Sequence, residues 1–107
     1  MSKFADVVAR LAAVVESRKG GDASASYTAK LLTDPSLAAK KLGEEAIEAV
    51  IAATQGDKAA LAGESADLIY HWLVVLAAAG ISLDDVAAKL EAREGTSGLA
   101  EKAGRPA

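Results

Sequence analysis

Five carboxylates stand in two short clusters of this chain. Glu44, Glu45 and Glu48 lie in Gly43-Glu44-Glu45-Ala46-Ile47-Glu48, and Glu64 and Asp67 lie in Glu64-Ser65-Ala66-Asp67. Successive residues of an α-helix turn by about 100°, so the first three fall within roughly a 100° arc and the second pair within about 60°. Like charges this close destabilise a bare helix. A divalent cation removes that penalty, and hard oxygen ligands suit Mg²⁺, with Mn²⁺ as an alternative. The pattern predicts a metal site between two facing helices. The competing reading is a pair of solvated helix faces, which acids at this spacing usually form. Two features weigh against it. The acidic faces lack the interleaved lysine partners of a salt-bridged surface helix. The second cluster also opens the most apolar helix of the chain, where unpaired carboxylates are costly.

Other chemical candidates are weaker. His71 is the only histidine. It follows Asp67 by four residues and Glu64 by seven, so it shares their helix face. It is read as a core or supporting histidine in a polar network, with a mixed ligand set as the alternative. Lys40 and Lys41 precede the glutamates and could hold phosphate oxygens, or could be solvated lysines that offset the acids. Lys30, after Ser26-Tyr27-Thr28, is a candidate of the same type. Arg93, followed by Gly95-Thr96-Ser97-Gly98, could form a second phosphate-binding patch or be a plain helix stop. No G-x-S-x-G, G-x-G-x-x-G or G-x-x-x-x-G-K motif occurs, so neither a nucleophile elbow nor those phosphate loops are expected.

The elements that must position these residues are helical. Ser2 is placed to cap a helix from Lys3 to about Arg18, with Phe4, Val7, Val8, Leu11, Val14 and Val15 on one apolar, core-facing side. Lys19 to Ser26 is a loop by composition. Tyr27 to Leu32 reads as a short helix. Asp34-Pro35 opens a long helix to about Thr54, which carries the first acidic cluster. Gly43 within it costs roughly 1 kcal/mol against alanine. Close approach of a backbone or ligand, or a slight kink, would account for it. Gln55-Gly56-Asp57 ends that helix and caps the next, from about Lys58 to Ala79. Its second half (Leu68, Ile69, Trp72, Leu73, Val74, Val75, Leu76) is apolar all round and predicts burial on more than one side, which places this helix near the interface of a homodimer. Gly80 stops it. Ser82 and Asp85 form a capping-box start to a last helix that ends near Glu94, with Val86, Leu90 and Leu83 facing the core.

The chain is 107 residues with a net charge of −3. That length fits one domain, here residues 1–107 with a polar tail over 95–107 that carries Lys102 and Arg105. The fold class is all-α, a small bundle of four to five helices. Only four aromatic residues occur, Phe4, Tyr27, Tyr70 and Trp72, and alanine supplies much of the apolar fraction. Such a core is short of buried area, which predicts completion by homodimerisation. The mild acidity gives no footprint for nucleic acid. The absence of cysteine excludes disulfides and thiolate sites and fits a reducing compartment. No signal peptide is read at the N-terminus, and the apolar run from Leu68 to Ala79 is short for a bilayer. A cytoplasmic enzyme that contacts no membrane is expected.

The clusters resemble a known family. Glu44-Glu45-x-x-Glu48 followed by Glu64-x-x-Asp67 is similar to the metal-binding signature of the all-α, MazG-like nucleotide pyrophosphatases. Within that superfamily the match is closer to the phosphoribosyl-ATP pyrophosphatase family of histidine biosynthesis. It is carried by Ser26-Tyr27-Thr28-Ala29-Lys30-Leu31-Leu32, Lys40-Lys41-Leu42-Gly43-Glu44-Glu45, Glu64 to His71, and Arg93-Glu94-Gly95-Thr96-Ser97-Gly98. It runs from about Phe4 to Lys102, and no cyclohydrolase-like stretch precedes it, so it resembles the stand-alone form. The resemblance implies Mg²⁺-assisted hydrolysis of phosphoribosyl-ATP, a small-molecule nucleotide, to phosphoribosyl-AMP and pyrophosphate. It implies Glu44, Glu45, Glu48, Glu64 and Asp67 as catalytic and metal-site residues, and it leaves Lys30, Lys40, Lys41 and Arg93 as the substrate-binding candidates. Two rival functions remain open at this point: a house-cleaning (d)NTP pyrophosphatase with the same acids, and a non-catalytic helical dimerisation module.

Overall fold

The computed structural model describes residues 2–95. Among these residues there are five helices and no strand: α1 (Lys3–Ser17), α2 (Tyr27–Leu32), α3 (Pro35–Gln55), α4 (Lys58–Ala79) and α5 (Leu83–Glu91). Each begins at a side chain that satisfies an otherwise orphaned backbone N–H. Ser2 accepts from Ala5, Ser26 from Ala29, Asp34 from Leu37, Asp57 from Ala60 and Ser82 from Asp85. At α5 the box is reciprocal, because Asp85 also accepts from the Ser82 N–H at 2.9 Å.

α3 and α4 are joined by a tight turn, and its chemistry is explicit. Gly56 takes φ 70°, in the left-handed region. Its N–H donates to Ala53 C=O and that of Asp57 to Ala52 C=O, each at 3.2 Å, which satisfies the last carbonyls of α3. Asp57 then caps α4, so one residue finishes a helix end and starts the next. Gly80 and Ile81 repeat the same closure on Ala77 and Leu76 at the end of α4.

A turn this short folds α4 back along α3, and the helical rise fixes the register. Glu48 lies eight residues before Gly56 and Glu64 eight after it. Both stand about 12 Å from the turn at 1.5 Å per residue. Glu45 and Asp67, each eleven residues away, share the next level. α1 and α2 pack across this hairpin. The core they enclose is Val15, Leu31, Ala38, Val74 and Ala77, with Leu32, Leu37, Tyr70 and Val75 against it. Burial of Leu31 and Val74, both fully inside, stabilises the fold by about 1.5–3 kcal/mol each. α2 is also tied to α4 by a hydrogen bond between the hydroxyls of Thr28 and Tyr70.

Three packing expectations need correction. α1 is not a core helix along its whole apolar face, since only Val15 is buried and Phe4 remains 64% exposed. α5 buries none of its residues, and Leu90 does not face the core but lies 59% exposed. It also ends at Glu91, short of Glu94, and continues as turns. The physical reason is common to both: one chain of this size has too few large side chains to cover every apolar face it makes. In α4, by contrast, His71, Leu73, Val74 and Ala77 are buried, while Trp72, Val75 and Leu76 are half-buried. α4 is long and apolar enough to cross a membrane by length and composition, although the shorter Leu68–Ala79 run alone is not.

Gly43 is exposed, within a continuous α3, and a Cβ built on it meets nothing within 4 Å. Nothing in this chain therefore requires glycine there. Gly43→Ala should stabilise the protein by up to about 1 kcal/mol in denaturant unfolding. A loss of stability instead would reveal a neighbour outside this chain.

Candidate active site

The register of the α3–α4 hairpin brings three of the five acids together. Glu45, Glu48 and Glu64 each offer a carboxylate oxygen, and these oxygens lie within 4.8 Å of one another. Glu48 is exposed and bridges the other two, within hydrogen-bond reach of both. Glu45 and Glu64 are half-buried, and each has one oxygen, Oε2, shut off from solvent with no partner.

This arrangement is electrostatically unfavourable when all three carboxylates are ionised. The closeness of Glu48, then burial, then the charges of Glu48, Glu45 and Asp67 push the Glu64 carboxyl up from 4.5 to about 7. Burial, then Glu48, raises Glu45 as well, and the His71 ring opposes that rise. A cluster that binds protons this readily also binds other cations readily, because both relieve the same repulsion.

Asp67 contributes charge to the cluster but is exposed and outside the three-oxygen group. Glu44 points elsewhere. It is exposed and forms an ion pair with Lys41 at 3.7 Å. The expectation that the acidic faces have no lysine partners is therefore wrong at Glu44: Lys41 sits one helical turn earlier, at i,i+3. The pair also commits Lys41, one of the phosphate candidates, to a neighbouring acid. Lys40 is exposed on α3, and Lys30 is exposed on α2, three residues after Tyr27. Arg93 is exposed just beyond α5. The Thr96-Ser97-Gly98 patch, Lys102 and Arg105 lie outside the described residues.

His71 is buried, as expected of a supporting residue, and it is surrounded. Its Nδ1 lies 2.9 Å from the carbonyl oxygen of Asp67. A carbonyl only accepts, so Nδ1 carries the proton. Tyr70 meets the ring edge-on at 4.9 Å between centroids and Tyr27 at 6.3 Å. This aromatic group is the part of the site that residue spacing does not reveal. Its only sequence signal is a Ser-capped helix that starts with Tyr27-Thr28, and nothing local says that it meets Tyr70 and His71 more than forty residues later.

Comparison with known proteins agrees with the geometry. The family model described as phosphoribosyl-ATP pyrophosphohydrolase matches residues 8–94. This chain belongs to the phosphoribosyl-ATP pyrophosphohydrolase family. A protein of Caulobacter sp. (strain K31) named phosphoribosyl-ATP pyrophosphatase is 70% identical over 99% of both chains. One of the same name from Caulobacter vibrioides is 70% identical over 96% of both. A third, from Cereibacter sphaeroides, is 61% identical over 92% of this chain and 97% of its own. The matched region contains all five acids, His71 and the four cationic candidates.

The raised pKa values have a measurable consequence. A carboxyl whose pKa rises on folding favours the native state below its unfolded value, and that advantage is lost as pH increases through the folded value. In chelator, stability should therefore fall as pH rises from about 4.5 to about 7. Glu64→Gln should flatten most of that slope in urea titrations, and saturating Mg²⁺ should do the same in the wild type.

Proposed function

We propose that the chain hydrolyses phosphoribosyl-ATP to phosphoribosyl-AMP and pyrophosphate, the second step of histidine biosynthesis, with Glu45, Glu48 and Glu64 as the heart of a Mg²⁺ site. The observation that carries this reading is the trio of carboxylate oxygens within 4.8 Å, built from two helices of a chain in this family. The donor set fits the cation. All ligands are hard oxygens, and two of the three carboxylates keep a buried oxygen without a partner. Oxygens about 2.1 Å from a common Mg²⁺ lie about 3–4.2 Å apart, so the cluster needs only a small contraction. Asp67 adds its charge beside the trio, and Glu44, turned toward Lys41, would join the ligand set only after a side-chain rotation.

When bound, Mg²⁺ neutralises charge on the polyphosphate and lowers the pKa of a bound water. The chain's own residues supply the rest. The acids orient the attacking water toward the α-phosphorus, and a glutamate of the cluster accepts its proton. Lys30 and Lys40, with Arg93, bind phosphate oxygens and offset the charge that develops on the leaving pyrophosphate. Lys41 joins them when its pairing with Glu44 opens.

We read the functional unit as a soluble, cytoplasmic homodimer, with α4 as the core helix of the bundle. Phe4, Ile47, Val50 and Leu90 are each more than half exposed in the single chain, and α5 has no buried residue of its own. A second copy that covers these faces would supply the buried area that the monomer lacks. Analytical ultracentrifugation at micromolar concentration should give twice the monomer mass of 10.8 kDa; a stable monomer would sink this part.

Pyrophosphate release with Mg²⁺ tests the main proposal. Phosphoribosyl-ATP should be turned over in strong preference to ATP and to a panel of dNTPs. Glu48→Gln should lower kcat on the order of 100-fold or more. Preference for a dNTP would keep the metal chemistry and move the protein to a house-cleaning role. No release from any of them would remove the enzymatic reading.

A further inference from the structure

Among the described residues, three side-chain polar atoms are buried without a partner: Glu45 Oε2, Glu64 Oε2 and His71 Nε2. The two glutamates belong to the acid cluster. His71 does not, since its ring nitrogens fall outside the group of mutually close donors. Nothing in the reaction described above uses it. Yet the residue is 8% exposed, and an imidazole nitrogen left unsatisfied at that depth is costly. A free nitrogen so enclosed calls for a partner.

The ring's orientation is over-determined. The Asp67 carbonyl takes the Nδ1 proton at 2.9 Å. The rings of Tyr27 and Tyr70 enclose it edge-on, and the Thr28–Tyr70 hydroxyl pair fixes Tyr70 in turn. Nδ1 is therefore committed, and Nε2 is the only nitrogen with capacity to spare. His71 lies on the α4 face of Glu64 and Asp67, the face turned toward α3. Glu45 lies on α3 at the level of Asp67, one turn away along the hairpin. Of all the groups that act on the Glu45 carboxyl, the His71 ring is the one that favours its ionised form.

We propose that His71 is a positioning residue whose Nε2 is joined to the buried Glu45 carboxyl oxygen through one bridging water. This rests on the reading of Glu45 as a site residue. With the imidazole proton on Nδ1, both Nε2 and the carboxylate accept, and the water donates one hydrogen to each. The result is a relay of positions: Asp67 backbone, imidazole, water, Glu45 carboxyl. The acid on α3 is aimed by a ring anchored to the backbone of α4. A histidine that holds a ligand carboxylate in this way tunes cation affinity without touching the cation.

The ring is unique in the chain, so its two ¹⁵N signals are unambiguous in the full-length, ¹⁵N-labelled protein. In chelator, with no divalent cation, Nδ1 should be the proton-bearing nitrogen. Glu45→Ala should shift the Nε2 signal and leave Nδ1 nearly unchanged, whereas Glu44→Ala should shift neither. An Nε2 signal indifferent to Glu45→Ala overturns the proposal. Calorimetric titration with Mn²⁺ gives the second readout. His71→Phe keeps the ring packing, and His71→Asn keeps only a mimic of Nδ1. Both should weaken Mn²⁺ binding by about 10-fold or more. His71→Gln, which places an amide near Nε2, should recover most of that loss, while a purely structural role would rank the variants by thermal stability instead. Wild-type affinity in His71→Asn would also overturn the proposal. If the wild type binds no Mn²⁺ but Glu45→Ala still shifts Nε2, the cation reading of the site falls and the His71–Glu45 link stands.

Discussion

Repulsion among three carboxylates is the constraint around which this molecule is built. Glu45, Glu48 and Glu64 are held within 4.8 Å, close enough that one of them keeps its proton to about neutral pH. No folded chain maintains such a cluster by local preference, because each helix alone would gain by separating its charges. The cluster persists because the register of the α3–α4 hairpin sets the three side chains side by side. The interior that holds the hairpin, centred on Leu31 and Val74, works against the repulsion. The unfavourable interaction is thus stored by the fold and becomes available for a ligand of opposite charge.

Much of this was legible in the residues, for identifiable reasons. The helix boundaries follow from caps: Ser2, Asp34, Asp57 and Ser82 each do what their types predict, and α2 and α4 begin and end where the sequence places them. The acidic clusters were visible because helical spacing is a property of the chain alone. Which acids converge was not visible. Glu44 is adjacent to Glu45 in sequence, but it turns 100° away and meets Lys41. Convergence depends on the rotation of each helix about its axis, which is set by packing and not by local spacing. The aromatic enclosure of His71 was hidden for the same reason, since Tyr27 and Thr28 reach it across a long separation.

The exposed apolar faces mark the other limit of sequence reading. Periodicity on α1 and α5 says which side is apolar, not what covers it. In this chain α1 buries one residue and α5 none. The apolar pattern is real in both helices, but a core is a relation between surfaces, and one side of that relation is not in this chain's interior.

The Gly56–Asp57 closure has a consequence for how this sequence can change over time. Glu64 follows Glu48 by sixteen positions, divided evenly about Gly56. Replacing the small residues of the two helices, Gly56 at the turn excepted, leaves the acids opposite each other, because neither the pitch nor the count changes. Adding or removing a single residue would swing one acid about 100° around its helix and slide it by about 1.5 Å. The bundle could absorb the slip, and the cluster could not. The span therefore acts as a ruler: it tolerates spelling changes within the helices and forbids changes of length.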